Sequence, residues 1–231
     1  MIFKPLREAR QKESGRRPFL LGMGALLVPG STWGQPAELD AGGATFREFG
    51  VADNGSSFNR IDPMIGSGAN PTQSRVLAID KANGLARIRF ESIRIEIALP
   101  LGWQAQEDWE RGVGLSADRR YRVILWRVDF AFEGVADAEH YAATKSGTIP
   151  TRKKGVQAQA RKLADGTYLV GYQNVPASTG DGGPRSVYDL VVPRPGVAAE
   201  GVLLTLGMPA KDADRGLKLL ALLKSNLRID W

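Results

Sequence analysis

The residue types that could carry acid–base or nucleophilic chemistry are sparse in this sequence. His140 is the only histidine, and the 231 residues include no cysteine. No serine stands in the Gly-x-Ser-x-Gly turn that exposes a catalytic nucleophile. A zinc site would need further His or Cys ligands. The sequence therefore predicts that His140 lies on a helix surface or at a contact between helix and sheet.

A cluster of carboxylates in QAQEDWERG is compatible with a glycosidase or a hard-metal site. Glu107, Asp108 and Glu110 are near neighbours in sequence, whereas glycosidase carboxylates face each other across a sugar. Calcium loops place oxygens at alternate positions around a central glycine, which this stretch lacks. The sequence predicts a solvated loop here, with Trp103 and Trp109 packed beneath it. It predicts no catalytic residue, no metal ligand and no cofactor.

The segment TRKKGVQAQARK concentrates five positive charges. Clustered cations raise association rates with anionic partners, so this segment would dock an acidic protein or an anionic envelope surface. The alternative is an edge strand that Lys and Arg keep from pairing with other chains. Aromatic residues for stacking nucleic-acid bases are missing nearby. The candidate partner-binding patch consists of Arg152, Lys153, Lys154, Arg161 and Lys162.

The N-terminal segment has the pattern of an export signal. A polar, basic stretch precedes an apolar run of eleven residues, Pro18 to Val28, which is too short to span a bilayer because spanning needs about 20. Charged, apolar and small-residue regions in this order are typical of a signal peptide. The alternative is a buried amphipathic first helix, but two adjacent arginines beside an unpatterned apolar run argue against it.

The stretch GRRPFLL also resembles the twin-arginine (Tat) export signal. The small residue Gly34 places the predicted cleavage between Gly34 and Gln35. The sequence thus predicts a leader over residues 1–34 and a periplasmic protein exported by the Tat pathway. The residues that match the export pattern are Arg16, Arg17, Phe19 and Leu20.

Charge and cysteine content exclude several classes of protein. The leader carries six of the 31 basic residues and two of the 25 acidic ones, so the predicted mature chain has a net charge of only +2. A nucleic-acid-binding protein is therefore not indicated. The lack of cysteine excludes a lipoprotein and any disulfide. The mature chain also has no predicted transmembrane helix.

Composition divides the mature chain into an arm and a domain. Residues 35–73 are rich in Gly, Ser, Asn and Pro and show no sustained period, which predicts an extended arm. Residues 74–231 show regular patterns without a second boundary, which predicts a single domain.

Hydrophobic periodicity predicts the elements of that domain. The segments SRVLAI and LARIRF form a predicted hairpin, and apolar alternation in Ile93–Leu99 predicts a strand after a break near Glu91. YRVILWRVDFAF is a predicted central strand, and ADAEHYAATKSG a short helix that ends before Gly147. Asp165-Gly166 marks a second hairpin, RSVYDLVV and GVLLTLG are two more strands, and a leucine-rich helix closes the chain. The predicted fold class is α+β, a mostly antiparallel β-sheet flanked by helices.

This order, together with the stretch IRIEIALPLGWQ, resembles the PsbP/Mog1-like proteins. In that family an alternating strand runs into a Pro-x-Gly-Trp turn, here Pro100-Leu101-Gly102-Trp103. The resemblance covers about Leu85 to Asp230. It implies a fold with a C-terminal helix and non-enzymatic work as accessory or binding subunits, and it supplies no catalytic residues.

The sequence favours an exported, non-enzymatic binding or accessory protein with a protein partner or an anionic envelope surface as its target. Two alternatives stay open. One is a carrier of a small apolar ligand, with a pocket lined by Trp103, Trp126 and the C-terminal leucines. The other is a hydrolase that uses Asp and Glu from different strands.

Overall fold

The computed structural model describes residues 38–51, 60–63, 74–177 and 183–231, with the backbone alone for 60–63. The described residues belong to one compact unit. The predicted export signal, including Arg16, Arg17 and the cleavage site at Gly34, lies outside them. No helix of the described residues is long and apolar enough to cross a membrane.

Strands outnumber helices among the described elements. After a 3-10 turn at Phe46–Glu48, the elements in chain order are β1 Arg60–Pro63, β2 Arg75–Asp80, β3 Leu85–Phe90, β4 Ile95–Pro100, β5 Gln104–Glu107, β6 Arg111–Leu115, β7 Arg122–Asp129, α1 Ala138–Arg152, β8 Gln157–Lys162, β9 Tyr168–Val175, β10 Arg185–Arg194, β11 Val197–Pro209, a 3-10 turn at Ala210–Asp212, α2 Ala213–Ser225 and β12 Arg228–Ile229.

The strands form two sheets. The eight-stranded sheet has the order β1-β5-β6-β7-β11-β10-β9-β8, and the four-stranded sheet has the order β12-β4-β3-β2. All pairs are antiparallel except β1 with β5. With α1 and the C-terminal α2 packed on the sheets, the predicted fold class is confirmed.

The predicted hairpins are present with the expected turns. β2 pairs with β3, and β8 pairs with β9 around Gly166, whose φ of 85° favours glycine. The change of apolar parity after Phe90 corresponds to a turn over residues 91–94, where Arg94 has a φ of 55°. A new strand, β4, begins after that turn, as the parity change predicted.

The main core lies between the two sheets and α2. Alternate residues of β4 and β7 are fully buried there, among them Ile97 and Leu125, together with Leu220 of α2. Phe46 and Phe49 pack in the same core, and the Trp103 indole N–H donates to the Phe49 carbonyl at 2.8 Å. Both phenylalanines belong to the predicted arm, whose boundary at residue 74 stays a prediction.

A second, smaller core forms where α1 packs on the opposite face of the eight-stranded sheet. Tyr141 and Ala142 of α1 lie there against Val170 and Leu203. Asp137 caps the helix by accepting from the His140 N–H at 2.9 Å. The helix does not end before Gly147 as predicted, but continues to Arg152, because Ile149 in its last turn also packs on this core.

Candidate functional site

α1 covers only part of its face of the eight-stranded sheet. It contacts β8, β9, β10 and β11 and shares a core with Val128 near the end of β7, whereas β5, β6 and the first part of β7 extend beyond it on the same face, where Trp126 is exposed. Two adjoining cavities of about 270 Å³ and about 520 Å³ lie where the covered and uncovered parts meet. The residues that line both cavities are Ile124, Lys153, Val175, Val187 and Thr205. Because of this overlap, we call the two cavities together the trough.

The floor of the trough is mostly apolar because of strand alternation. In β7, Val123 and Leu125 point into the main core, which leaves Ile124 and Trp126 on the trough side. Trp126 is 39 % exposed. Val187 of β10 continues the floor. The trough is therefore an apolar surface that the chain's own described elements leave partly open.

α1 forms one wall of the smaller cavity. Tyr141, Lys145 and Ile149 line it at successive turns of the helix, and Lys153 follows the last turn. This spacing places one apolar stripe and two lysines along the same side of the trough.

One acidic side chain, Asp189, stands on the apolar floor. Its Oδ1 accepts a hydrogen bond from the Thr205 hydroxyl at 2.6 Å, and the Tyr172 hydroxyl also bonds to it. Burial raises the pKa of Asp189 above its usual range, while these bonds and Lys145 act in the other direction. Burial likewise raises the pKa of Tyr172. The group is thus a half-buried acid whose carboxylate is held by two neutral hydroxyl groups.

The larger cavity has a basic rim. Four of its lining residues are cationic and none is acidic. Lys153 lies at the end of α1. A Cβ built on Gly207 would lie 3.5 Å from Arg185 Nη2, which means that the Arg185 guanidinium lies close above the floor. Arg185 Nη2 also donates to the Arg120 carbonyl at 2.9 Å. The four cations are Arg119, Arg122, Lys153 and Arg185.

Exposed aromatic side chains lie at the opposite end. Trp109 is 62 % exposed and Phe132 is 90 % exposed. Both line a third cavity of about 420 Å³, which shares Trp126 and Tyr141 with the trough. The order from end to end is therefore aromatic, apolar and basic.

The structure does not bring the five cations of the predicted patch together. Arg152, Lys153 and Lys154 lie at the C-terminal end of α1. Arg161 and Lys162 are adjacent on the edge strand β8 and point to opposite faces. Lys162 lies 5.4 Å from the ring of Tyr168, which bonds to Glu139 near the other end of α1. Of the five, only Lys153 lines the trough.

The structure places His140 outside the trough. Its side chain is 66 % exposed, and its Nδ1 lies 2.8 Å from Asp137 Oδ1. The hydrogen bond with the Asp137 carboxylate raises the pKa of His140. The prediction of a helix-surface histidine is confirmed.

The predicted solvated loop around Glu107 is wrong. These residues form β5, the turn and β6, and Glu107 is fully buried. Its Oε1 lies 2.5 Å from the Ser92 nitrogen and 2.5 Å from the Ser92 hydroxyl oxygen. Asp108 instead pairs with Arg111 at 2.8 Å, and Trp109 is exposed, not packed beneath a loop. The sequence missed the strands because β6 is short and interrupted by glycines, one of which makes room for the ring of Phe90.

The pocket proposed from the sequence is also wrong in its location. Trp103 is fully buried in the main core, with the leucines of α2, whereas Trp126 faces the trough on the other side of the sheet. No group of three or more His, Asp or Glu that could hold a metal is found among the described residues.

Comparisons with known proteins give likenesses of structure only. No family model and no curated protein matches the chain. A point mutant of the protein Mog1 is similar at 11 % identity, over 63 % of this chain and 95 % of that one, with a TM-score of 0.44. The Ran-binding protein Mog1p of Saccharomyces cerevisiae is similar at 11 % identity, over 70 % and 96 %, with a TM-score of 0.42.

The cyanobacterial PsbP (CyanoP) of Synechocystis is similar at 16 % identity, over 72 % of this chain and 99 % of that one, with a TM-score of 0.41. Mog1 and PsbP are also the two kinds of protein in the family that the sequence resembles.

Proposed function

We propose that this chain is an exported, non-enzymatic binding or accessory protein of the periplasm and that the trough is its binding surface. The observation that carries the proposal is the open apolar floor beside α1, with Trp126 exposed in it. Contiguous exposed apolar surface rimmed by polar residues marks interaction sites and ligand grooves. Aromatic and Arg side chains, which border this floor at its two ends, are enriched at such sites.

Binding without catalysis is favoured by the chemistry of the trough. The hydroxyl–carboxylate contacts of the trough, among the described residues, are those of Thr205 and Tyr172 with Asp189. Serine and threonine nucleophiles are activated by an adjacent base such as histidine or an amine, and no histidine lines the trough among the described residues. His140, the only histidine, points elsewhere.

A carrier of a small apolar ligand is the second candidate. The cavity volumes of about 270 Å³ and about 520 Å³ favour it, since small-molecule sites commonly measure about 300–1,000 Å³. A protein partner would use the whole face, including Trp109 and Phe132.

The test is native mass spectrometry of the protein purified gently from the periplasm of its own cells. We expect an added mass on the wild-type protein that is lost in Trp126→Ala, because this change removes part of the floor. Leu77→Ala is the matched control, since Leu77 is similarly exposed at 42 % but lies on the four-stranded sheet.

The outcomes separate the two candidates. A protein-sized added mass supports an accessory subunit, and a small one supports a carrier. A bare wild-type protein, or equal loss in both variants, contradicts the trough as binding surface. A chain that starts at Met1 and stays in the cytoplasm contradicts export, whereas one that starts at Gln35 supports cleavage after Gly34.

A further inference from the structure

We propose that the trough binds a single-chain anionic amphiphile, a molecule with one apolar chain and one acidic head. The chain lies along the apolar floor beside α1, and the head lies at the basic rim. This inference rests on the proposed function of the trough as a binding surface and names the class of ligand.

The charge of the larger cavity carries the first part of the argument. Arg119, Arg122, Lys153 and Arg185 line it, and no carboxylate does. A cleft lined by one sign of charge concentrates ligands of the opposite sign. Arg185 is held close to the floor above Gly207, so a head group that reaches its guanidinium keeps the attached chain in contact with the floor.

The smaller cavity supplies the site for the apolar chain. Ile124, Trp126, Ile149 and Leu203 line it on the sheet and helix sides. Burial of one methylene tightens binding by about fourfold, converted from its transfer free energy. A ligand chain that lies between α1 and β7 therefore gains affinity with each carbon until the cavity is filled.

The position of Asp189 sets the direction in which the ligand lies. Asp189 stands under the smaller cavity, where its carboxyl bonds to Thr205 and Tyr172. A ligand carboxylate placed there would be desolvated beside another acid, with Lys145 as the neighbouring cation. Of the four rim cations, Lys153 lines both cavities, whereas Arg119, Arg122 and Arg185 line only the larger one. The ligand therefore lies with its acidic head at the cations of the rim and its apolar chain toward Trp126, because this orientation gives each part a matching surface.

The experiment compares ligands of equal chain and different head on the purified protein. Decanoate and 1-decanol are titrated by calorimetry at low salt, with octanoate as the shorter acid. We expect decanoate to bind about tenfold more tightly than 1-decanol and about 15-fold more tightly than octanoate, which is shorter by two methylenes. The advantage over 1-decanol should shrink at high salt, because the rim cations are exposed to solvent.

Variants assign the two ends. Arg122→Gln with Lys153→Gln should weaken decanoate about tenfold, as expected for two solvent-exposed ion pairs, and leave 1-decanol unchanged. Trp126→Ala should weaken both ligands. Arg228→Gln is the control, because Arg228 is an exposed cation on the four-stranded sheet, and it should change neither.

Each contrary result has its own meaning. Equal binding of decanoate and 1-decanol overturns the anionic head, although the trough would remain a binding surface. Failure of both ligands to bind overturns the inference. If native mass spectrometry nevertheless shows a Trp126-dependent partner, the proposed function survives that failure, and if it shows none, both fail.

Discussion

Asp189 is the one acidic residue that lines the trough among the described residues. It stands in the strand RSVYDLVV, between Tyr188 and Leu190, which both point into the main core. An acid inside such a run is a signal that sequence reasoning could have used, since buried acids mark functional or highly constrained positions. The sequence did not show which side of the sheet would lie open, so it could not place Asp189 in a trough.

The protonation of Asp189 should appear in the pH dependence of stability. Its folded pKa is raised above the unfolded value, so the folded state binds the proton more strongly. The contribution is fully present below the unfolded pKa, about 3.9, and is lost as pH rises through the folded pKa. Asp189→Asn keeps the shape and removes the titration.

We therefore expect the stability of the wild-type protein relative to Asp189→Asn to increase as pH falls from 7 to 4. Each tenfold difference in proton affinity between the folded and unfolded states contributes about 1.4 kcal/mol. Urea unfolding of both proteins at several pH values measures the gain. A difference that stays flat across this range would show that the folded state does not favour the protonated acid.

α1 is the element that turns an open sheet face into a trough. Its cap at Asp137 was predictable from the sequence, but its end was not, because Gly147 indicates a stop. The contact of Ile149 with the smaller core outweighs that local preference. Hairpins were predictable from alternation and turn residues, whereas β5 and β6 were not, since the core side of β5 carries only Ala105 and Glu107 and that of β6 carries glycines.

Substitution by alanine at two glycines, both with open space around them, should change the stability of the protein in opposite directions. A Cβ at Gly147 in α1, or at Gly166 in the β8–β9 turn, would meet nothing within 4 Å. Gly147→Ala should stabilise the protein by about 0.5–1 kcal/mol, because alanine is the better helix former. Gly166→Ala should destabilise it by about 1 kcal/mol, since its φ is 85°.

Chemical denaturation of the two variants checks the pair, with equal m-values as the control for two-state unfolding. If Gly147→Ala is destabilising, the last turns of α1 are not helical in solution and the wall of the trough is shorter than described.

At the scale of the molecule, the two sheets are joined at one edge through a buried polar contact. Glu107 of β5 accepts from Ser92 in the turn between β3 and β4. The Ser92 hydroxyl also lies 2.7 Å from the Asp108 carbonyl. Of the buried side-chain atoms described, Glu107 Oε2 has no hydrogen-bond partner, so this contact depends on Oε1 alone.

Ser92→Ala should destabilise the fold by about 1–3 kcal/mol, because it removes a partner from a buried carboxylate. Ser146→Ala on α1 is the control and should change stability by less than about 0.5 kcal/mol, since its hydroxyl bonds only to the Ala143 carbonyl within an exposed stretch of helix. Urea unfolding measures both. Equal effects would mean that the contact between sheets adds nothing to stability.

The strand order of the four-stranded sheet also has a kinetic consequence. β12 pairs with β4, and Arg228 lies opposite Glu96. The two strands are thus far apart in sequence, since most of the described chain lies between them. A growing chain therefore cannot close this sheet until residue 229 has left the ribosome, and such non-local pairing slows folding. The proposed twin-arginine leader is synthesised first, yet that pathway carries folded cargo. Translocation of this protein by that pathway would have to wait until residues 228–229 have been made and have paired with β4.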